Sequence, residues 1–276
     1  MINALSVDVE DYFQVSAFEG LVNRSDWDQL EPRVEANTNR LLDLFDHHGV
    51  RATFFFLGWI AERYTGLVRA IRDSGHEVAS HGYDHRQITT MSREEFHRDL
   101  RRSKEILEGI TGESLLGYRA PSFSVTRESL WALDILSEEG FAYDSSIFPI
   151  RHDRYGIHDS PRFPWQRTGI SSSVLHEFPI STVRLLGQNV PFIGGGYLRQ
   201  FPFPFIEWGM KRVNQGENRP VVVYVHPWEV DPEQPRISAG RLTTIRHYRN
   251  LDKTEIRLSR LFRKFEFAPL RDVLGL

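Results

Sequence analysis

Two histidines four positions apart, in His81-Gly82-Tyr83-Asp84-His85, and the acidic run Ser6-Val7-Asp8-Val9-Glu10-Asp11 carry the clearest capacity for chemistry in this chain. Side chains at i and i+4 share a face when a segment is helical or turns tightly, so His81 and His85 can converge on one cation. A carboxylate from a separate strand would complete a facial set of two imidazoles and one carboxylate, with positions left for water and substrate. A hydrolytic metal centre needs an open site of that kind. The competing reading is an ordinary polar loop, because H-x-x-x-H alone also occurs by chance.

Composition narrows the chemistry. The 276 residues contain no cysteine, which excludes disulfides, thiolate zinc sites and cysteine nucleophiles. Any metal must therefore be held by histidine and carboxylate. The formal net charge is −3, and charges of both signs are interspersed, so nothing points to a nucleic-acid partner. The first residues, Met1-Ile2-Asn3-Ala4-Leu5-Ser6-Val7-Asp8, have no basic n-region and no long apolar core, and they read as a first strand rather than a signal peptide. No apolar run approaches the ~20 residues that span a bilayer. A soluble, cytoplasmic protein is expected, with peripheral attachment to a membrane-bound polysaccharide assembly complex left open. The chain is long enough to bury roughly three quarters of its unfolded surface. Oligomeric state is not readable from it.

Short apolar strands alternating with amphipathic helices must position these groups, and the alternation predicts a βα-repeating α/β fold. Strands are expected at 5–7, 52–57, 76–80, 115–118, 141–143 and 220–225. Helices are expected over 40–48, 67–74, from the capping box at Ser92 through Gly109, from Thr126 to Gly140, and over 251–264 before a closing strand at 265–267. Phe54, Phe55 and Phe56 in a row suit a strand buried on both faces of a parallel sheet. Between 145 and 219 the rhythm fails amid prolines and Gly194-Gly195-Gly196, and the region reads as a loop-rich insertion. One domain over 1–276 is expected, with a helix-strand extension over about 230–276. Asp8, His81, Arg119, Asp144 and His226 each fall at or just after the end of an expected strand, where α/β active sites gather.

These residues come in an ordered series: Asp8-Val9-Glu10-Asp11, His81-Gly82-Tyr83-Asp84-His85, Arg119-Ala120-Pro121, Tyr143-Asp144-Ser145-Ser146 and Val225-His226-Pro227. The series resembles that of the polysaccharide deacetylases with NodB homology. Within that family the chain is similar to the branch whose first motif reads D-V-E-D-Y-F, found with exopolysaccharide and exosortase loci. The resemblance spans roughly residues 1 to 230. It implies a distorted (β/α) barrel with fewer than eight repeats and a metal-dependent hydrolysis of N-acetyl groups on amino sugars. The implied substrate is an N-acetylhexosamine-containing glycan or a lipid-linked oligosaccharide precursor. The implied cofactor is a divalent metal, with Zn2+ the best fit and Co2+, Ni2+, Fe2+ or Mn2+ able to take the same geometry.

The resemblance also implies roles. Asp8 is the general base, His81 and His85 are metal ligands, Arg119 pairs with Asp8 and keeps it ionised, and His226 is the general acid. The family's adjacent aspartates are interrupted here by Val9. Side chains alternate along a strand, so Asp8 and Glu10 can enter one site while Val9 points away. Glu10 is therefore the expected third ligand, with Asp11 the fallback and otherwise a solvated turn acid. Asp144 is expected to orient His226 or contact substrate, against a turn or cap role with Ser145 and Ser146. The N–H of Ser122 or Phe123 is a candidate oxyanion donor, and Tyr83 and Asp84 are candidate supports for the ligands. Tyr12, Phe13, Trp59, Tyr197 and Trp228 are candidates to line a glycan groove, while Gly194-Gly195-Gly196-Tyr197 is a substrate loop or only a bend. The family's first motif ends in glycine, whereas Tyr12-Phe13-Gln14 follows here.

Three alternatives compete with this reading. A metal-independent, allantoinase-like cyclic-amide hydrolase would not need both His81 and His85. An inactive glycan-binding protein predicts a damaged base or acid, yet Asp8 and His226 are both present. A glycoside hydrolase could use paired carboxylates but gives H-x-x-x-H no purpose.

Overall fold

The computed structural model describes residues 1–152, 155–168 and 174–276. In its first half, strands β1 (Ile2–Val9), β2 (Thr53–Phe56), β3 (Glu77–Ser80), β4 (Gly117–Tyr118) and β5 (Tyr143–Asp144) are connected through helices. These helices are α1 (Val34–His47), α2 (Gly58–Arg63), α3 (Thr65–Asp73), α4 (Arg93–Thr111) and α5 (Ala132–Glu138). The second half holds β6 (Trp165–Thr168), β7 (Val174–Glu177), β8 (Thr182–Leu185), β9 (Gln188–Pro191), α6 (Gly195–Gln200) and α7 (Phe203–Lys211). It ends with β10 (Val222–Val225), α8 (Arg241–Tyr248), α9 (Thr254–Phe262), β11 (Glu266–Ala268) and α10 (Leu270–Leu274).

The main sheet runs β10-β1-β2-β3-β4-β5-β7-β6, parallel throughout except for the β6–β7 pair. Its two faces are set by the two-residue period of a strand. Along β1, Leu5, Val7 and Val9 join the core shared with the helices, while Ala4 belongs to a second cluster with Phe55, Ala79, Tyr143, Val222 and Tyr224. That cluster brings together strands as far apart in the sheet as β5 and β10, which requires the sheet to curl. Among the described residues β6 and β10 do not pair, so the result is a curled half-barrel rather than a closed one.

The expected strands and the capping box at Ser92 are present. The segment expected to be a loop-rich insertion is corrected by the sheet itself: β7 pairs with β5 and extends the curl, and β8 and β9 form a hairpin. Four-residue strands and helices of six and nine residues are too short to display a period, which is why the pattern vanished. The expected closing strand is β11, paired with the first three residues of β1. No helix in the described residues is long and apolar enough to cross a membrane.

Candidate metal centre and the groups around it

At the carboxyl edge of the curled sheet, β1 delivers Asp8 and, one step past its end, Glu10, both buried. β3 delivers His81 and β10 delivers His226 immediately after their last residues. His81 and His85 do not lie on a helix. The chain turns back through left-handed conformations at Gly82 (φ 75°) and His85 (φ 58°), and the two rings end with centroids 5.5 Å apart. A left-handed histidine is uncommon and marks a position the surroundings hold in place. The potential ligand atoms of Glu10, His81 and His85 all lie within 4.8 Å of one another, and all three residues are buried.

Each member is oriented by a second group. His81 Nδ1 lies 2.7 Å from the Arg119 carbonyl, which makes Nδ1–H the donor and leaves the Nε2 lone pair for the site. His85 Nε2 lies 2.7 Å from Glu10 Oε2, yet Oε2 receives no aligned hydrogen bond and is an orphaned buried acceptor. A cation between them would resolve both features, and two imidazoles with one carboxylate are a donor set suited to zinc. Burial pushes His81 down to about 4, so it is neutral and able to ligate at neutral pH. Burial would raise the Glu10 carboxyl, but the charges of His85 and His226 outweigh it and hold Glu10 near about 2.

Beside this trio, Asp8 Oδ1 accepts from Arg119 Nη1 at 2.6 Å, and neither side chain reaches solvent appreciably. Arg119 is itself fully committed. It donates to Ser6 Oγ (2.7 Å), the Ser145 carbonyl (3.0 Å) and Ser145 Oγ (2.9 Å), with its guanidinium carbon 4.2 Å from the centre of the Phe55 ring. Such a fixed arginine holds one carboxylate oxygen of Asp8 and leaves Oδ2 to the pocket.

His226 points Nε2 into the same space, 3.3 Å from Glu10 Oε1 and 3.9 Å from Asp8 Oδ2. Its Nδ1 lies 2.6 Å from Glu229 Oε1, and Glu229 Oε2 accepts from Arg199 Nε at 2.5 Å. Burial opposes the imidazolium, but Glu10 and Glu229 outweigh it and raise His226 to about 9. Trp228 stacks on His226 (5.1 Å between centroids) and on His247 (4.2 Å), and its Nε1–H reaches Glu10 Oε1 at 3.3 Å. These groups surround a pocket of about 190 Å³, whose opposite wall is Ser16, Ser122 and Phe123.

Several expectations are corrected. Asp11 is neither ligand nor solvated turn acid: buried, it accepts the N–H groups of Tyr12 (2.8 Å), Arg33 (2.8 Å) and Val34 (3.0 Å), tying β1 to the start of α1. Asp144 does not orient His226. It accepts from Ser146 Oγ at 2.5 Å and lies opposite Glu177 on β7, and burial drives both carboxyls up so that the pair retains a proton. Ser146 Oγ also accepts the Ala120 N–H at 2.7 Å, so this pair braces the Arg119 segment.

The Phe123 N–H is already spent on the Ala120 carbonyl (3.0 Å). Tyr83 bonds Glu62 through its hydroxyl at 2.7 Å, away from the ligands, whereas Asp84 faces Arg24 at 3.6 Å, and Arg24 donates to the Asp84 carbonyl at 2.9 Å and the His85 carbonyl at 3.3 Å. Of the five aromatic candidates, Trp228 lines the pocket, while Tyr12, Phe13 and Trp59 pack with it in one apolar cluster without lining the pocket themselves. Gly194 (φ 90°) is a packing residue: an added Cβ would sit 2.2 Å from the Tyr224 ring. The residues that sequence reasoning missed are Glu229 and Arg199. A signal existed for the first, since His226-Pro227-Trp228-Glu229 has the spacing of a capping box.

The family model for polysaccharide deacetylase matches residues 26–140, and that for Domain of unknown function (DUF3473) matches residues 145–275. A peptidoglycan deacetylase of Helicobacter pylori is 35% identical over 116 residues, which is 41% of this chain and 38% of that protein. A peptidoglycan-N-acetylglucosamine deacetylase of Bacillus cereus is 27% identical over 120 residues, covering 39% of this chain and 44% of its own. A chitooligosaccharide deacetylase of Rhizobium leguminosarum bv. trifolii is 28% identical over 137 residues, 50% of this chain and 57% of that one. The matched part of the chain thus spans under half the length of the first two relatives. Among solved structures, a polysaccharide deacetylase structure from Pseudomonas aeruginosa aligns with a TM-score of 0.64 at 17% identity, covering 99% of this chain and 89% of the other. An allantoinase aligns at 0.63 and 16% identity, covering 99% and 88%. At such identities these structures establish the fold alone.

Proposed function

We propose, from the premise that this chain carries a polysaccharide deacetylase domain, that it is a metal-dependent hydrolase removing N-acetyl groups from an N-acetylhexosamine-containing glycan. The observation that carries this reading is the meeting of Glu10, His81 and His85 beside the Asp8–Arg119 pair and His226 in one pocket. Resemblance of the Asp8-Val9-Glu10-Asp11-Tyr12-Phe13 motif supports a place in exopolysaccharide biosynthesis, acting on the glycan or on a lipid-linked precursor.

Glu10, His81 and His85 would hold the metal, and zinc is the ion their donor set favours. A bound divalent ion supplies Lewis acidity to the amide carbonyl and lowers the pKa of water. The chain's own residues do the rest. Asp8 Oδ2, free of Arg119, takes a proton from the attacking water, and Arg119 holds the carboxylate stationary through Oδ1. His226 gives a proton from Nε2 to the departing amine, with its ring fixed through Nδ1 by Glu229. Trp228 closes the wall beside both groups and excludes water from one side of the pocket. A metal-independent cyclic-amide hydrolase would leave the Glu10–His81–His85 cluster without a task, so shared fold with an allantoinase does not favour that activity.

Acetate release from N-acetylchitotetraose by the zinc-loaded chain tests the reading. Release that depends on zinc and drops in Asp8→Asn and His226→Ala supports it. Release that is indifferent to both substitutions, or absent with every N-acetylated glycan supplied, rejects it.

A further inference from the structure

A second and larger cavity, about 650 Å³, opens between the segment that follows β5 and the β8–β9 hairpin. Its walls include Arg151, His152, His158 and Arg184, with Asn189 and Tyr197 among them. The wall's described carboxylate, Asp159, already faces Arg127 in an ion pair and has His158 Nδ1 at 3.8 Å. Arg184 donates to Asn189 Oδ1 at 3.3 Å, and Asn189 Nδ2 donates to the Pro149 carbonyl at 2.7 Å, so the hairpin arginine is steered by a neutral group. Arg151 and Arg184 are both exposed. Among the described residues of the wall, the acid is thus engaged while two arginines are exposed, which favours an anion there.

This cavity is joined to the catalytic pocket by one aromatic wall. Phe123 lines the catalytic pocket, and its ring meets Phe148 at 5.7 Å and Tyr155 at 6.3 Å. Tyr155 stacks on His152 at 3.8 Å and 11°, and His152 lines the second cavity. The catalytic pocket is about 190 Å³. That is the space of roughly six waters, too little for more than one sugar residue. Neighbouring residues of a glycan chain must lie elsewhere, and the wall leads to the cationic cavity.

We propose that this cavity is an anion-recognising subsite for the same substrate, taking a neighbouring sugar that carries a carboxylate or phosphate group. The inference rests on the deacetylase reading and adds the substrate's charge to it. Guanidinium groups pair with both oxyanions in bidentate fashion, which is the recognition Arg151 and Arg184 would provide. The ring of Tyr197, which lines the cavity, offers a flat apolar surface to the sugar itself.

The test is isothermal titration calorimetry on the full chain carrying Asp8→Asn, with zinc present, so that binding is read without turnover. Three tetrasaccharides are compared: N-acetylchitotetraose, one alternating N-acetylglucosamine with glucuronate, and N-acetylchitotetraose phosphorylated at its reducing end. At least one acidic ligand is expected to bind about ten-fold more tightly than the neutral one, and which of them does so identifies the anion. Adding Arg151→Ala and Arg184→Ala together should erase that preference and leave the neutral affinity within about two-fold. Equal affinity for all three, or a preference that survives loss of both arginines, overturns the subsite. Acetate release from all three tetrasaccharides by the unaltered chain is measured in parallel. Release without acidic preference overturns the subsite alone, whereas acidic preference without release from any of the three overturns the deacetylase reading alone.

Discussion

The Arg199–Glu229 pair behind His226 makes the sharpest energetic prediction. Both side chains are buried, at 1% and 0% exposure. Arg199 Nε holds Glu229 Oε2 at 2.5 Å, while its Nη atoms donate to the carbonyls of His247 (2.9 Å), Arg249 (2.8 Å) and Arg246 (3.2 Å). Removing one partner of a buried pair strands the other charge in a medium that cannot solvate it, a loss of about 3–5 kcal/mol. Arg199→Met also takes donors from three carbonyls and belongs at the upper end, about 5 kcal/mol. Glu229→Gln keeps those carbonyl bonds and belongs near about 3 kcal/mol.

If the effects were independent, the double variant would lose about 8 kcal/mol, but it leaves neither member of the Arg199–Glu229 pair charged and alone and is expected to lose only about 5. Urea unfolding of all four proteins at pH 7 measures this coupling of about 3 kcal/mol, because the slope reports exposed surface and the midpoint reports stability. A double variant within about 0.5 kcal/mol of the sum would refute the pair as the device that holds Glu229 against His226.

Asp8→Asn should lower kcat by about 10²–10⁴-fold, the range for loss of a positioned general base, with zinc content and a cooperative thermal transition retained, the midpoint lower because buried Arg119 loses its carboxylate partner; unchanged turnover contradicts the role. His76 is buried between Phe45 and Phe54, its Nδ1 accepts the Ala52 N–H at 3.1 Å, and burial lowers it to about 4. The folded state thus binds this proton more weakly than the unfolded chain. Stability from this group is complete above about pH 6.5 and declines as pH falls towards 4, by up to about 3 kcal/mol. Urea midpoints at pH 7.5 and 4.5 should converge in His76→Gln more than in the unaltered protein, and an equal acid loss in both would count against it. Gly194→Ala drives a Cβ into the Tyr224 ring at a left-handed position. A loss of about 3 kcal/mol or more is expected, read as a fall in Tm of at least about 6 °C; a fall under about 2 °C would mean the bend yields freely.

Much of the site was legible because its residues stand where a two-residue period and strand ends place them. The alternation of Asp8, Val9 and Glu10 was enough to send Val9 to the helix side and Glu10 inward. The convergence of His81 and His85 was legible, but its means was not: two left-handed residues replace the turn of helix that i, i+4 spacing first suggests. Asp11 and Asp144 were misread for a common reason. A motif names an acid without saying which neighbours compete for it, and here the first turn of α1 takes Asp11 while Glu177 and Ser146 take Asp144. Glu177 itself lies on β7, a strand too short to announce its place beside β5. Arg199 meets Glu229 across thirty positions of sequence, and no local pattern encodes such a contact.

Anomalous diffraction from crystals grown with zinc, collected on both sides of the zinc edge, tests the central claim most directly. The account predicts one strong peak about 2.0–2.2 Å from a carboxylate oxygen of Glu10 and a nitrogen each of His81 and His85. That peak should vanish in His81→Ala crystals whose fold is otherwise unchanged. A fully occupied ion bound elsewhere, with these three side chains facing water or one another, would contradict it.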